Sequence, residues 1–174
     1  MKKEISVWDY AGQILEGVQK GALLTTRAGD EVNTMTIGWG HLGIEWSKPI
    51  FVVYVRQSRH TKSLLDKNGE FTVNIPVGAV DKKILGLCGT KSGRDLDKFK
   101  ELTLTPVEGK TVSVPAIKEL PLTLECKVIY QQDQDLSALE KTCREHSYPA
   151  GTAEENNFHT AYFGEITAAY ILED

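Results

Sequence analysis

A mainly β fold, a closed antiparallel barrel with helices inserted between its strands, is what this sequence predicts, and three observations carry it. Runs rich in β-branched and aromatic residues outnumber the helical patterns. The helical patterns interrupt the strands irregularly instead of alternating with them, which favours a barrel over a doubly wound sheet. No G-x-G-x-x-G turn follows a strand, so the dinucleotide fingerprint of the doubly wound fold is missing. At 174 residues the chain has the length of one self-sufficient core, and residues 1–174 are read as a single domain.

Each element has a local reason. Ile14, Leu15 and Val18 within residues 9–20 suit a short amphipathic helix that Gly21 ends. Leu23, Leu24, Thr25 and Thr26 make 21–27 a strand, and Ala28-Gly29-Asp30 marks the turn after it. A second strand is expected over about 32–41 and a third over 50–55, with Ser47-Lys48-Pro49 between them, the three forming an antiparallel meander. Residues 58–68 read as a helix with Leu64 and Leu65 buried, stopped by a left-handed Gly69. Residues 70–76 alternate with period two, a fourth strand. Helices are expected over 80–87 and 94–101, the latter capped by Ser92 or Asp95. Beyond them 120–131 is strand-like, 136–146 helical, 150–157 a flexible loop, and 159–172 a closing strand rich in Tyr, Ile and Ala.

Composition excludes several function classes. The net charge of −4 means that an anion must be held by local cations or amides, which argues against nucleic acid as a partner. No apolar run approaches the roughly 20 residues that cross a bilayer, and Met1-Lys2-Lys3-Glu4-Ile5-Ser6 lacks the pattern of a signal peptide, so a cytoplasmic protein away from membranes is expected. Cys88, Cys126 and Cys143 share no C-x-x-C spacing and fit free thiols in a reducing compartment. His41, His60, His146 and His159 fall on separate elements without ligand spacing, so no metal site is expected.

The residues that suggest chemistry cluster in three stretches. In Asn33-Thr34-Met35-Thr36-Ile37-Gly38-Trp39-Gly40 the glycines let a flat ligand approach the backbone, whose amides would stabilise negative charge on an aromatic ring system; the alternative is that Met35, Ile37 and Trp39 pack a core. In Arg56-Gln57-Ser58-Arg59-His60-Thr61 two arginines and two hydroxyls surround a predicted helix start, a setting suited to a terminal phosphate. Its alternative is a Ser58 cap beside solvated arginines. Cys88-Gly89-Thr90-Lys91-Ser92-Gly93-Arg94-Asp95-Leu96-Asp97-Lys98 is a second polar loop, either wrapping that ligand's tail or pairing Asp95 and Asp97 with Arg94 and Lys98 at the surface. Cys88 reads as a buried thiol rather than a nucleophile. His159, at the start of the last strand, either reaches a nicotinamide or its phosphates at the pocket rim or bonds to backbone. A flavin mononucleotide has the shape of ring plus phosphate tail that these stretches would hold.

The order and spacing of these stretches, with Gly69-Glu70-Phe71-Thr72-Val73-Asn74-Ile75-Pro76 and His159-Thr160-Ala161-Tyr162-Phe163-Gly164-Glu165-Ile166, resemble the flavin reductase-like, FMN-binding split-barrel family, including its flavoredoxin group. The resemblance implies a six-stranded Greek-key split barrel that forms a homodimer, with FMN near the subunit interface. It implies residues 36–39 at the isoalloxazine, Ser58, Arg59 and Thr61 at the phosphate, residues 88–98 over the tail, and Asn74 at the ring edge. On this reading the chain is an FMN-dependent oxidoreductase that takes hydride from NADH or NADPH and passes electrons to free flavin, a ferric complex or a protein acceptor. Its alternatives are a flavoredoxin-like electron-transfer protein and a non-redox flavin-binding module.

Overall fold

The computed structural model describes residues 1–173. Strand β1 (Lys2–Glu4) precedes helix α1 (Ala11–Lys20), which turns Ile14, Gly17 and Val18 inward. A hairpin of β2 (Ala22–Ala28) and β3 (Glu31–Ile37) turns through Gly29 at φ 60°. A second hairpin, β4 (Gly40–Glu45) and β5 (Lys48–Arg56), turns through Trp46 and Ser47 at φ 49° and 58°, a two-residue turn whose twist suits antiparallel neighbours. Helix α2 (His60–Asn68) and β6 (Glu70–Ile75) follow, then α3 (Lys82–Thr90) and α4 (Lys98–Glu101). The short β7 (Pro106–Val107) and β8 (Ala116–Ile117), the long β9 (Leu122–Asp133), α5 (Lys141–Ser147) and β10 (His159–Leu172) complete the chain.

One antiparallel sheet runs in the order β3-β2-β6-β9-β10-β5-β4, with β1 added to β10. Its end strands, β3 and β4, are not paired with each other among the described residues, so the barrel keeps a seam and is a split barrel rather than a closed ladder. That order corrects the expected meander. β3 and β5 belong to separate hairpins at opposite ends of the sheet, because the strand expected over 32–41 breaks at Gly38 and Trp39. Gly40 then starts β4 so close to Phe51 that a Cβ would lie 2.8 Å from its ring.

Helix boundaries also differ from expectation. Asp81 caps α3 through Lys83 N at 2.8 Å and shifts it to 82–90. Asp97, not Ser92 or Asp95, caps α4 and shortens it to one turn. Glu140 caps α5 through Cys143 N at 2.9 Å, while an Asp135–Ser137 turn keeps 136–139 out of the helix. Helix α2 starts at His60, leaving Ser58 outside it, and ends as expected on Gly69 at φ 67°.

The barrel interior is filled by Leu24, Phe51, Val53, Phe71, Val73, Leu124, Tyr162 and their neighbours, all nearly or wholly buried. Each such side chain contributes about 1.5–3 kcal/mol on burial. Gly164 is required here, since a Cβ would meet the Phe71 ring at 2.5 Å. The opposite face of β2, β6 and β9 is covered by residues 102–120, with Leu23, Ile84, Cys88, Leu104, Ile117 and Leu120 forming a second apolar cluster. Between sheet and cover lies a polar layer. Asn74 donates to Thr25 Oγ1 and Thr72 Oγ1 at 3.1 Å each and accepts from Ile117 N at 2.9 Å. The Glu125 carboxylate accepts from Lys110 N and Thr111 N at 2.6 Å and from the Thr111 and Tyr170 hydroxyls at 2.7 Å. Burial alone would raise its pKa; these donors outweigh burial and hold it below the ordinary carboxylate range.

Candidate functional site

Strand β3, the Gly38-Trp39 break, the β5–α2 junction and the α3–α4 loop converge on two cavities. The first, about 190 Å³, is walled by Thr36, Ile37, Gly38 and Trp39 on one side and by Tyr54, Arg56 and His159 on the other. The second, about 170 Å³, is walled by Asn33, Ser58, His60 and Thr61 against Cys88, residues 90–94 and Lys98. Met35 and Arg59 line both. Arg59 is exposed, and among the described residues its guanidinium has no carboxylate partner and makes one long contact, from Nη1 to Gly89 O at 3.4 Å. An unneutralised guanidinium at the junction of two cavities is a position for an anion.

Local bonds set the walls. Thr36 Oγ1 donates to Leu85 O at 2.6 Å and ties β3 to α3. Asn33 donates to Thr61 Oγ1 at 2.9 Å, and Gly93 packs so closely on Asn33 that a Cβ would lie 2.1 Å from its Oδ1. Arg94 Nη1 donates to Ser58 O at 3.1 Å, closing the α3–α4 loop onto the α2 entrance. Ser58 is held from the other side by Asn157, whose Nδ2 donates to Ser58 Oγ at 2.9 Å. Lys98 is only 4% exposed, and its ammonium donates to Thr34 O at 2.8 Å and Cys88 O at 3.1 Å. Burial lowers the Lys98 pKa, opposed by the Cys88 thiol and reinforced by the charge of Arg59. Burial pushes the Cys88 thiol up to about 11 against the pull of Lys98, so it stays protonated and carries no nucleophile.

At the first cavity His159 is 7% exposed, lies 4.7 Å from the Trp39 ring centroid and is hydrogen-bonded through Nδ1 to Tyr148 Oη. Burial, then the charges of Arg56 and Arg59, lower its pKa to about 4, so the ring is neutral at physiological pH. Arg56 does not turn toward the second cavity. It pairs with Glu154, donates to Ser147 O at 3.0 Å and lies over the Tyr148 ring at 5.1 Å.

The expected site residues therefore divide. Asn33, Ser58, Arg59, Thr61, Cys88, Thr90, Ser92, Arg94 and Lys98 assemble around the second cavity, and Thr36, Ile37, Gly38, Trp39, Arg56 and His159 around the first. Gly89 contributes its carbonyl to Arg59 from just outside. Asn74 is not brought to either cavity; it is wholly buried in the polar layer on the other face of β6. Tyr54, Tyr148, Glu154 and Asn157 were not singled out from the sequence. Tyr54 lay inside an apolar strand, and the other three belong to an excursion whose placement no local pattern reveals.

A match to the flavin reductase like domain runs over residues 18–174. The chain belongs to that family. Flavoredoxin of Desulfovibrio vulgaris (Miyazaki F) has a similar structure, with a TM-score of 0.66 at 27% identity, over 88% of this chain and 69% of that one. An FMN-binding domain of a flavin reductases-like enzyme from Shewanella baltica aligns with a TM-score of 0.70 at 14% identity, over 98% of this chain and 77% of that one, a likeness of fold. An uncharacterized protein of Archaeoglobus fulgidus is 38% identical over 100 residues, 58% of this chain and 55% of that protein. The chain spans between 55% and 62% of the length of three curated relatives that it matches. The family's mainly β split barrel is thus the fold found here.

Proposed function

We propose that this flavin reductase-like chain binds FMN and is an NAD(P)H-dependent flavin reductase, with free flavin, a ferric complex or a protein as final acceptor. The observation that carries the reading is Arg59, which has no carboxylate partner among the described residues and is common to both cavities. The site's donors suit the cofactor: Arg59, Arg94 and Lys98, with Ser58 and Thr61, offer charge and hydroxyls to a phosphate in the second cavity. The backbone of residues 36–39 offers a flat wall for the ring in the first. When bound, FMN would supply the two-electron chemistry, accepting hydride from a nicotinamide.

The chain's own work is orientation and dielectric. Trp39, 48% exposed, presents an indole face at the cavity mouth against which a second planar ring can stack. His159 stays neutral there and adds no charge. The Arg56–Glu154 pair closes one rim. Hydride transfer needs no side-chain acid or base, in keeping with a site that holds a protonated thiol and a neutral imidazole.

We further read residues 1–174 as one domain acting as a homodimer. Ile44, Trp46 and Tyr130 are 73%, 51% and 42% exposed, and Trp46 and Tyr130 stack edge-on with Phe163, an aromatic patch suited to a second copy. No helix among the described residues is long and apolar enough to cross a membrane. A second reading, a flavoredoxin-like electron carrier, is favoured by the 27% identity with flavoredoxin. Anaerobic titration of the FMN-loaded protein decides between them: prompt bleaching by NADH or NADPH supports the reductase, and bleaching by dithionite alone the carrier. Protein that neither purifies yellow nor takes up added FMN would remove both.

A further inference from the structure

Three residues form a closed ring of hydrogen bonds at the back of the first cavity. Gln134 N donates to His159 O at 2.9 Å, Tyr148 Oη donates to Gln134 Oε1 at 2.9 Å, and Tyr148 Oη meets His159 Nδ1. A phenol has one proton to give. It goes to the Gln134 carbonyl oxygen, which can only accept, so the contact with His159 requires the imidazole to bring the other proton, on Nδ1. The two rings stand edge-on, 5.7 Å apart at 73°, and Tyr148 is 5% exposed, so its hydroxyl is shielded from water.

That assignment leaves Nε2 with a lone pair. Among the described residues none bonds to Nε2, and Thr26 Oγ1 is the only enclosed side-chain polar atom left without a partner. Nε2 of His159 is therefore open to the cavity that its ring lines beside Trp39. Arg56 and Arg59 both bear on the ring and oppose its protonation.

We propose that Tyr148 is a positioning residue that fixes His159 as the Nδ1–H tautomer, so that Nε2 faces the first cavity as a neutral hydrogen-bond acceptor for an amide N–H of the reductant. Resting on the reading of this cavity as a nicotinamide site, this selects the carboxamide, an N–H donor, as the group that His159 meets. It also rejects the dinucleotide's phosphates, which have no proton to give at neutral pH and would face a lone pair.

The test is the tautomer itself, read in the full-length protein by long-range proton–nitrogen correlation of the His159 ring, without and with FMN. Wild type is expected to show the Nδ1–H pattern, and Tyr148→Phe a mixture or the Nε2–H form. A wild-type Nε2–H ring, or an unchanged pattern in Tyr148→Phe, overturns the proposal. Should Tyr148→Phe fail to fold, Gln134→Leu removes the acceptor that captures the phenol proton and is expected to release the Nδ1–H preference in the same way. In steady state Tyr148→Phe is expected to raise KM for NADH about three- to tenfold, the value of one neutral hydrogen bond, with kcat within about twofold and FMN affinity unchanged. A fall in kcat at constant KM would overturn the carboxamide assignment. If NADH does not bleach the wild-type flavin, the nicotinamide reading and that assignment fall together, while the ring spectrum still decides what Tyr148 does.

Discussion

Lys98 and Glu125 are both buried ionisable groups, 4% and 0% exposed, yet they are held differently. Glu125 lies in the polar layer under residues 102–120 and accepts from two amides and two hydroxyls, a full set for a carboxylate. Lys98 lies at the floor of the second cavity and donates to two carbonyls, leaving the third N–H of its ammonium without a protein acceptor among the described residues. A saturated buried charge fastens one segment to another. An unsaturated one beside a cavity keeps a donor free, which is why Lys98 is proposed to meet the ligand there.

The largest effect that would break this contrast is at Glu125. Glu125→Ala strands two amides and should lower unfolding free energy by about 3–5 kcal/mol, while FMN affinity of the folded fraction stays at the wild-type value; denaturant melts and flavin titration check the two halves. Lys98→Met, an apolar side chain of similar length, should melt near wild type and bind FMN roughly tenfold or more weakly. If Lys98→Met unfolds the chain and Glu125→Ala does not, the contrast is inverted.

His159 sharpens the comparison as a third buried group, one kept uncharged. Its folded pKa of about 4 lies below the ordinary 6.5, so the unfolded chain takes the proton first as pH falls. Stability should therefore be complete above pH 6.5 and decline through the window from 6.5 to about 4, by up to about 3 kcal/mol. His159→Gln should flatten that part of the stability curve relative to wild type. Arg59→Ala removes a charge-assisted bond of about 1.5–3 kcal/mol and should weaken FMN binding more than tenfold with no change in melting. An unchanged dissociation constant removes Arg59 from the site. The smallest effect concerns the thiols: iodoacetamide at neutral pH should label exposed Cys143 and spare Cys88 and Cys126, whose burial keeps both protonated.

Much of this was legible in the sequence because it is local. The last strand occupies 159–172 as its β-branched and aromatic run suggests, and Gly69 ends α2 by a conformation that its lack of a side chain permits. Arg59, Thr61 and Lys98 could be singled out because cations and hydroxyls gather in two short stretches, and the fold brings those stretches to one cavity. The strand order was not, since pairing β2 with β6 and β5 with β10 depends on contacts far apart in sequence. Asn74 shows the limit most plainly. Alternation along β6 placed it on one face and Val73 on the other, but only the cover laid down by residues 102–120 made that face an interior. Tyr148 had no signal at all, because its meaning comes from Gln134, just past the end of β9, and from His159 at the start of β10.

The segment that carries Tyr148 and Glu154, residues 134–158, contributes no side chain to the apolar interior of the barrel. It is thus an appendage rather than a stave, reaching the first cavity through the contacts of Tyr148 with His159 and of Glu154 with Arg56. That stretch can change in sequence, and with it the setting of His159 and Arg56, without disturbing the packing that folds the barrel.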